Sequence, residues 1–164
     1  MIDATNGSAH FLDNLKAELI AFQGFCDILQ NEQESLTQGH IDNLIALAKL
    51  KSDKVLILTQ LSTARNQFLQ QLSLPPNQQG IERLIHSNKT TIAKDRLAST
   101  WQQLIEFAKT AEKLNMSNGI MIDTKLQQNQ QALAVLQSAA NQSSLYGPDG
   151  KTNATGMGRP LGKV

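Results

Sequence analysis

Leu97, Trp101, Leu104, Ala108, Ala111, Asn115, Asn118, Ile122, Leu126, Asn129, Leu133, Leu136 and Ala140 recur in steps of three and four residues, with one extra four-residue step beside Ile122. That is the period of a helix seam packing on other helices. No proline interrupts it. As a single helix over 97–140 it is about 65 Å long at about 1.5 Å per residue. That exceeds the width of a compact domain of this size, so one end is expected to project. The extra step is a stutter, which locally unwinds a left-handed supercoil.

Two shorter helices are expected upstream. Leu12, Leu15, Leu19, Phe22, Cys26, Leu29, Gln33 and Leu36 form a strict heptad seam, and Phe11, Ile20, Phe25 and Ile28 widen it for more than one neighbour. Ser8 is a candidate N-cap. Gly24 inside this helix either permits a close approach or is incidental. Gly39 follows the periodic run as a C-terminal cap signal, and a short connection there turns the next helix back antiparallel. That helix runs over about 41–73 with Ile41, Leu44, Leu47, Ala48, Leu50, Val55, Ile57, Leu58, Leu61, Ala64, Phe68, Leu69 and Leu72 as apolar positions. Lys51, Lys54 and Arg65 interrupt the face and are expected to snorkel at its edge. Pro75-Pro76 stops it. Residues 78–87 make about two helical turns with Ile81, Leu84 and Ile85 on one face, and 88–94 are a polar connector. Thr90, Thr91 or Asp95 caps the long helix.

The expected fold is all-α: an elongated antiparallel three-helix bundle or coiled coil over residues 1–141. Its helices cover about 9–37, 41–73 and 92–141, with a flexible tail at 142–164. The tail holds five of the ten glycines and two of the four prolines, a composition that buries too little surface to offset ordering entropy. Tyr146, the only tyrosine, stands out in it because it has no core to fill.

Apolar residues make up 40% of the 164 and aromatics 4%, which suits narrow helical seams better than a thick core. The net charge of +1 and the mixing of Lys109, Lys113 and Lys125 with Glu106, Glu112 and Asp123 argue against a nucleic-acid binder. Residues 1–36 carry six acids and one lysine. Either this acidic helix lies beside basic neighbours or it offers a surface to a basic partner. Cys26, the single cysteine, falls on the seam and is expected to be a buried, inert thiol. The polar start and the lack of any apolar run near about 18 residues point to a cytoplasmic protein without membrane insertion.

Catalytic chemistry is hard to find. His10, His40 and His86 share no metal-ligand spacing. Gly156 to Gly162 misses the dinucleotide fingerprint, and Asp149 to Asn153 lacks calcium-loop spacing. No cofactor is expected. Two features remain. Asn115 and Asn118 occupy seam positions, either as a polar layer bonded across helices or as a partner contact; a buried asparagine left unbonded costs roughly 1–3 kcal/mol. Ile122, Leu126, Leu133 and Leu136 form an apolar stripe flanked by Gln and Asn. It either docks a partner helix, or packs on the first two helices or on a second copy.

Leu114-Asn115-Met116-Ser117-Asn118-Gly119 resembles the Leu-Asn-x-x-Asn-Gly motif of FlgN-type flagellar export chaperones. Asn129-Gln130-Gln131-Ala132-Leu133-Ala134-Val135-Leu136 is similar to the end of that family's third helix. Leu145-Tyr146-Gly147-Pro148-Asp149-Gly150-Lys151-Thr152 is similar to its tail signature, with Lys151 where the family often has Gln. Trp101 sits where the family has a tryptophan. The matching pieces cover about residues 97–152, and Thr155 to Val164 show no match. The resemblance implies a cytosolic chaperone of the flagellar type III export system, not an enzyme. Such a protein binds C-terminal segments of the hook-associated (hook–filament junction) proteins, prevents their premature assembly and delivers them to the export gate. Ile122, Leu126, Leu133 and Leu136 become the expected cargo anchors, and Tyr146 the expected contact to the gate protein. The alternative is a structural coiled-coil adaptor, self-associating or not, with no export role.

Overall fold

The computed structural model describes residues 4–87 and 91–145. Four helices follow in order: α1 (Ala4–Gln38), α2 (Ile41–Gln71), α3 (Gln78–Ser87) and α4 (Thr91–Leu145). The fold is all-α, and among the described residues there is no strand. α1 starts upstream of expectation, so Ser8 lies in its second turn and does not cap it. α4 is continuous through Gly119. Residues 142–145 of the expected tail continue α4; the remainder, with Tyr146, lies outside the described residues, as does Thr90. The chain divides after Met121 into two units.

In the first unit, backbone capping sets the turns. Gly39 adopts φ +77°, and the His40 N–H donates to the Ser35 carbonyl at 2.9 Å. This bond ends α1 in the Schellman manner, where a left-handed residue lets the chain fold back onto the last helical carbonyls. α2 ends the same way without glycine. Ser73 sits at φ 56°, with Ser73 N–H bonding Gln70 O and Leu74 N–H bonding Leu69 O, both at 2.9 Å. Leu74 then packs on the core beside Leu69, the apolar contact that accompanies this motif. Asn77 caps α3, its Oδ1 accepting from the Gly80 N–H at 3.2 Å. α3 comes so close to the preceding loop that a Cβ at Gly80 would stand 1.9 Å from the Pro75 carbonyl oxygen.

α2 runs antiparallel to α1, as shown by Phe11 stacked on Phe68 with centroids 4.7 Å apart, Glu18 on Arg65 and Glu32 on Lys51. α4 runs parallel to α1, with Cys26 beside Phe107 and Gln33 beside Ser117. One core cluster gathers Phe11, Leu15, Leu69, Ile81, Leu84, Ile85, Leu97 and Leu104 from all four helices. A second holds Cys26, Leu29 and Ala111, flanked by Phe22, Phe25, Phe107 and Leu114. Leu97, Leu104, Ala111 and Asn118 are the buried residues of α4 in this unit, a strict seven-residue repeat. Ile20, expected to widen the α1 seam, is exposed.

The face of α2 departs most from expectation. Leu44, Leu47, Lys51, Lys54, Leu58, Leu61, Arg65 and Phe68 are half-buried in alternating three- and four-residue steps, with Ser62 and Asn66 half-buried beside them and Leu69 buried. Lys51, Lys54 and Arg65 therefore stand in the seam, not at its edge. Ile41, Leu50, Val55, Ile57 and Leu72 are exposed. The reason is the opposite helix: α1 offers buried Glu18 and Glu32 to this seam, and a buried carboxylate requires a cation. Gly24 makes room for the third cation, since its Cβ position is 3.3 Å from Lys54 Nζ.

Candidate partner-binding site

The second unit carries the apolar stripe. Ile122, Leu126, Leu133 and Leu136 are spaced so that an α-helix turns them to one face. All four are exposed, from 44% at Ile122 to 65% at Leu136. Asn129 and Ala140 on the same face are exposed too. Single exposed leucines are ordinary, but four apolar side chains on one face, broken only by Asn129, make this a candidate surface for meeting another molecule. From Leu126 to Leu145 there is no charged residue; Gln, Asn, Ser and Ala fill the intervals. Such a face can bury apolar ridges against another helix. It offers no acid, base or nucleophile.

The first unit holds the polar layer. Asn118 is fully buried and donates to the Leu29 carbonyl and to Glu32 Oε2, both at 2.8 Å. Glu32 also accepts from Lys51 Nζ at 3.0 and 3.2 Å. Nearby, Gln33 Nε2 donates to Ser117 Oγ at 3.2 Å. One asparagine, one glutamate and one lysine thus tie α4, α1 and α2 together. Asn118 Oδ1 has no hydrogen-bond partner. Asn115 is exposed and takes no part in the layer. From Ala111 the seam steps three residues to half-buried Leu114 and four to Asn118, which leaves Asn115 on the flank.

A second buried ion pair lies nearer the start of α1. Arg65 Nη1 donates to Glu18 Oε1, and its guanidinium carbon lies 5.5 Å from the centroid of the Trp101 ring, within cation–π reach. Glu18 Oε2 and Arg65 Nε have no partner. Burial pushes the Glu18 carboxyl above its ordinary pKa, and Arg65 opposes the shift through its charge and hydrogen bond without cancelling it. Sequence reading missed this pair and the Glu32–Lys51 pair. The signal was present: Lys51 and Arg65 are two heptads apart on α2, as are Glu18 and Glu32 on α1.

Cys26 is buried, its Sγ 3.5 Å from the Phe107 carbonyl oxygen. Burial, with a smaller contribution from Asp27, raises its pKa. His10 and His40 are exposed, and His86 Nδ1 lies 2.7 Å from the Glu82 carbonyl oxygen. Among the described residues no group of three or more His, Cys, Asp and Glu could hold a metal ion, and no helix is long and apolar enough to cross a membrane.

Comparison with known proteins gives one consistent answer. A family model described as "FlgN protein" matches residues 1–154. A "Flagella synthesis protein FlgN" from Yersinia enterocolitica is 31% identical over 150 residues, covering 91% of this chain and 94% of the relative. The protein of that name from Salmonella typhimurium is 29% identical over 131 residues, 80% of this chain and 81% of the relative. That from Proteus mirabilis is 30% identical over 137 residues, 84% and 86%. No solved structure matches the chain.

Proposed function

Since the chain belongs to the FlgN protein family and so serves flagellar assembly, we propose that it is an export chaperone for the hook-associated junction proteins. In this reading it binds their C-terminal segments in the cytoplasm, prevents premature assembly and brings them to the type III export gate. The observation that carries the reading is the exposed, uncharged stripe of Ile122, Leu126, Leu133 and Leu136. All four side chains are exposed, which leaves their apolar area open to a partner. Burying one such side chain stabilises a complex by about 1.5–3 kcal/mol, so a few anchors reach roughly micromolar affinity after ordering costs. Tyr146 supplies the contact to the gate protein, an aromatic anchor with a hydroxyl handle.

Calorimetric titration with a C-terminal peptide of a hook-associated protein tests this. Wild type is expected to bind at micromolar affinity or tighter. Leu133→Asp/Leu136→Asp is expected to lose binding while keeping its helicity, because both side chains are exposed. Tyr146→Ala is expected to keep the peptide and lose the gate protein. Absence of heat from wild type with every junction-protein peptide sinks the chaperone reading.

A further inference from the structure

The exposed stripe of α4 is a heptad seam with one amide inside it. Ile122, Leu126, Asn129, Leu133, Leu136 and Ala140 follow in strictly alternating four- and three-residue steps. Asn129 therefore stands in the row, with Leu126 one turn before it and Leu133 one turn after. All six residues are exposed. In heptad terms Leu126, Leu133 and Ala140 hold a positions, and Ile122, Asn129 and Leu136 hold d positions. The e and g positions border such a seam, and charges there ordinarily choose the partner and its direction. Along 126–140 those positions are Gln130, Ala132, Gln137 and Ala139, and none is charged. Leucines alone hold a helix almost equally well in several registers. The amide of Asn129 is the one group in this seam that discriminates between them.

We propose that Asn129 selects the partner and sets its register: the helix that docks here carries one uncharged hydrogen-bonding side chain (asparagine, glutamine, serine or threonine) in its own apolar seam, seated opposite Asn129. The inference rests on the reading of this stripe as the docking face for a partner helix. A partner seam that is apolar throughout covers the Asn129 amide and leaves it without water or a hydrogen bond. A charged side chain in that place is buried on a stretch that has no opposite charge to pair it. A slip of one heptad sets the partner's polar group against Ile122 or Leu136 and strands two groups at once. Asn118 shows the same chemistry inside the first unit. It occupies a seam position of α4, is fully buried, and donates to the Leu29 carbonyl and to Glu32. A polar residue in a helical seam fixes pairing in this way at some cost in stability.

Calorimetric titration of the full chain with designed helical peptides of about three heptads tests the proposal. One peptide has leucine at every a and d position. Two others replace a single central leucine with asparagine, at d to serve a parallel pair and at a to serve an antiparallel one. Lysine at e and g keeps the peptides from pairing with themselves. Wild type is expected to bind one asparagine peptide at least about tenfold tighter than the all-leucine peptide. Asn129→Leu is expected to invert that order by a similar factor. Gln128→Leu makes the same change at an exposed position off the seam and is expected to keep the wild-type order. Leucine has the higher helix propensity, so both variants keep their helicity, which circular dichroism checks. The same order in wild type and Asn129→Leu overturns the inference, as does an inversion that Gln128→Leu reproduces. An Asn129→Leu variant that changes its sedimentation mass but not its peptide preference assigns the amide to a second copy, and this too overturns it. Wild type that binds a hook-associated protein's C-terminal peptide but none of the three designed ones overturns this inference and leaves the chaperone reading standing. Designed peptides bound in the expected order, with no hook-associated peptide bound, do the reverse. Binding of neither kind overturns both.

Discussion

Glu18 and Arg65 meet across the α1–α2 seam in the register that also brings Glu32 to Lys51, two heptads further along. A slip of one heptad would set Glu18 against Leu58 and Lys51 against Phe25, leaving buried charges without partners. The seam is otherwise rich in leucine, which packs almost as well in several registers. The ion pairs supply the discrimination that leucine lacks, the best-attested use of buried polar groups in helical seams.

The Glu18–Arg65 pair should therefore behave asymmetrically on mutation. Arg65→Met alone leaves a buried carboxylate uncompensated and is expected to cost about 3–5 kcal/mol. Glu18→Leu combined with Arg65→Met removes both charges and is expected to recover most of that loss. Urea denaturation of the single and double variants measures the difference. A double variant no better than the single rejects this account of the pair.

Stability should also depend on pH through Glu18. Its pKa is raised in the folded state, so the folded chain holds this proton more tightly than the unfolded one. Its contribution is fully present below the ordinary glutamate value of 4.5 and is lost as pH rises through the higher folded value. Glu18→Gln cannot titrate. The stability of wild type relative to Glu18→Gln is expected to fall as pH rises from below 4.5 through the higher folded value. Thermal melts of the two proteins across that range give the sign, and a rise in wild type's relative stability contradicts the burial argument.

The two asparagines of α4 should separate cleanly. Asn118→Ala removes the donor that serves Leu29 O and Glu32 and is expected to cost about 1–3 kcal/mol. Exposed Asn115→Ala is expected to stay within about 0.5 kcal/mol of wild type. Equal effects in denaturant titrations would mean that Asn115 shares the layer.

Two helical glycines should respond in opposite directions to alanine. At Gly119 nothing lies within 4 Å of the Cβ position, so Gly119→Ala gains helix propensity, about 1 kcal/mol. At Gly80 the Cβ would collide with the backbone oxygen of Pro75. Backbone cannot swing aside as a side chain can, so Gly80→Ala is expected to lower the melting temperature markedly. Melting curves of the two variants provide the comparison.

The helices were legible because each signal is local. Gly39 and Pro75-Pro76 are stop signals in their own right, and Ile81, Leu84 and Ile85 declare one face of α3 without reference to anything else. Which face of α2 is buried was less legible. Its hydrophobic residues lie on more than one side, and the buried side is decided by Glu18 and Glu32 on another helix. Counting apolar residues selected Ile41, Val55 and Ile57, whereas pairing of charges selected Lys51 and Arg65. Asn115 was misplaced for a smaller reason: a three-residue and a four-residue step from Ala111 are equally good seams in sequence, and only contact with α1 chooses Leu114. The α4 stripe was legible as a pattern, and its exposure is a property of the folded chain that periodicity does not contain.

If α4 docks its partner as proposed, the uncharged run from Leu126 to Leu145 governs how that partner arrives as well as how it is held. With no fixed charge on this stretch there is no local field to draw a ligand in, and dissolved salt has nothing there to screen. A helix that docks on it meets it at the unsteered rate, about 10⁵–10⁶ M⁻¹s⁻¹, at low and high ionic strength alike. Occupancy then follows the partner's local concentration and its residence time, and selectivity rests on the fit of methyl groups and of the Asn129 amide rather than on charge.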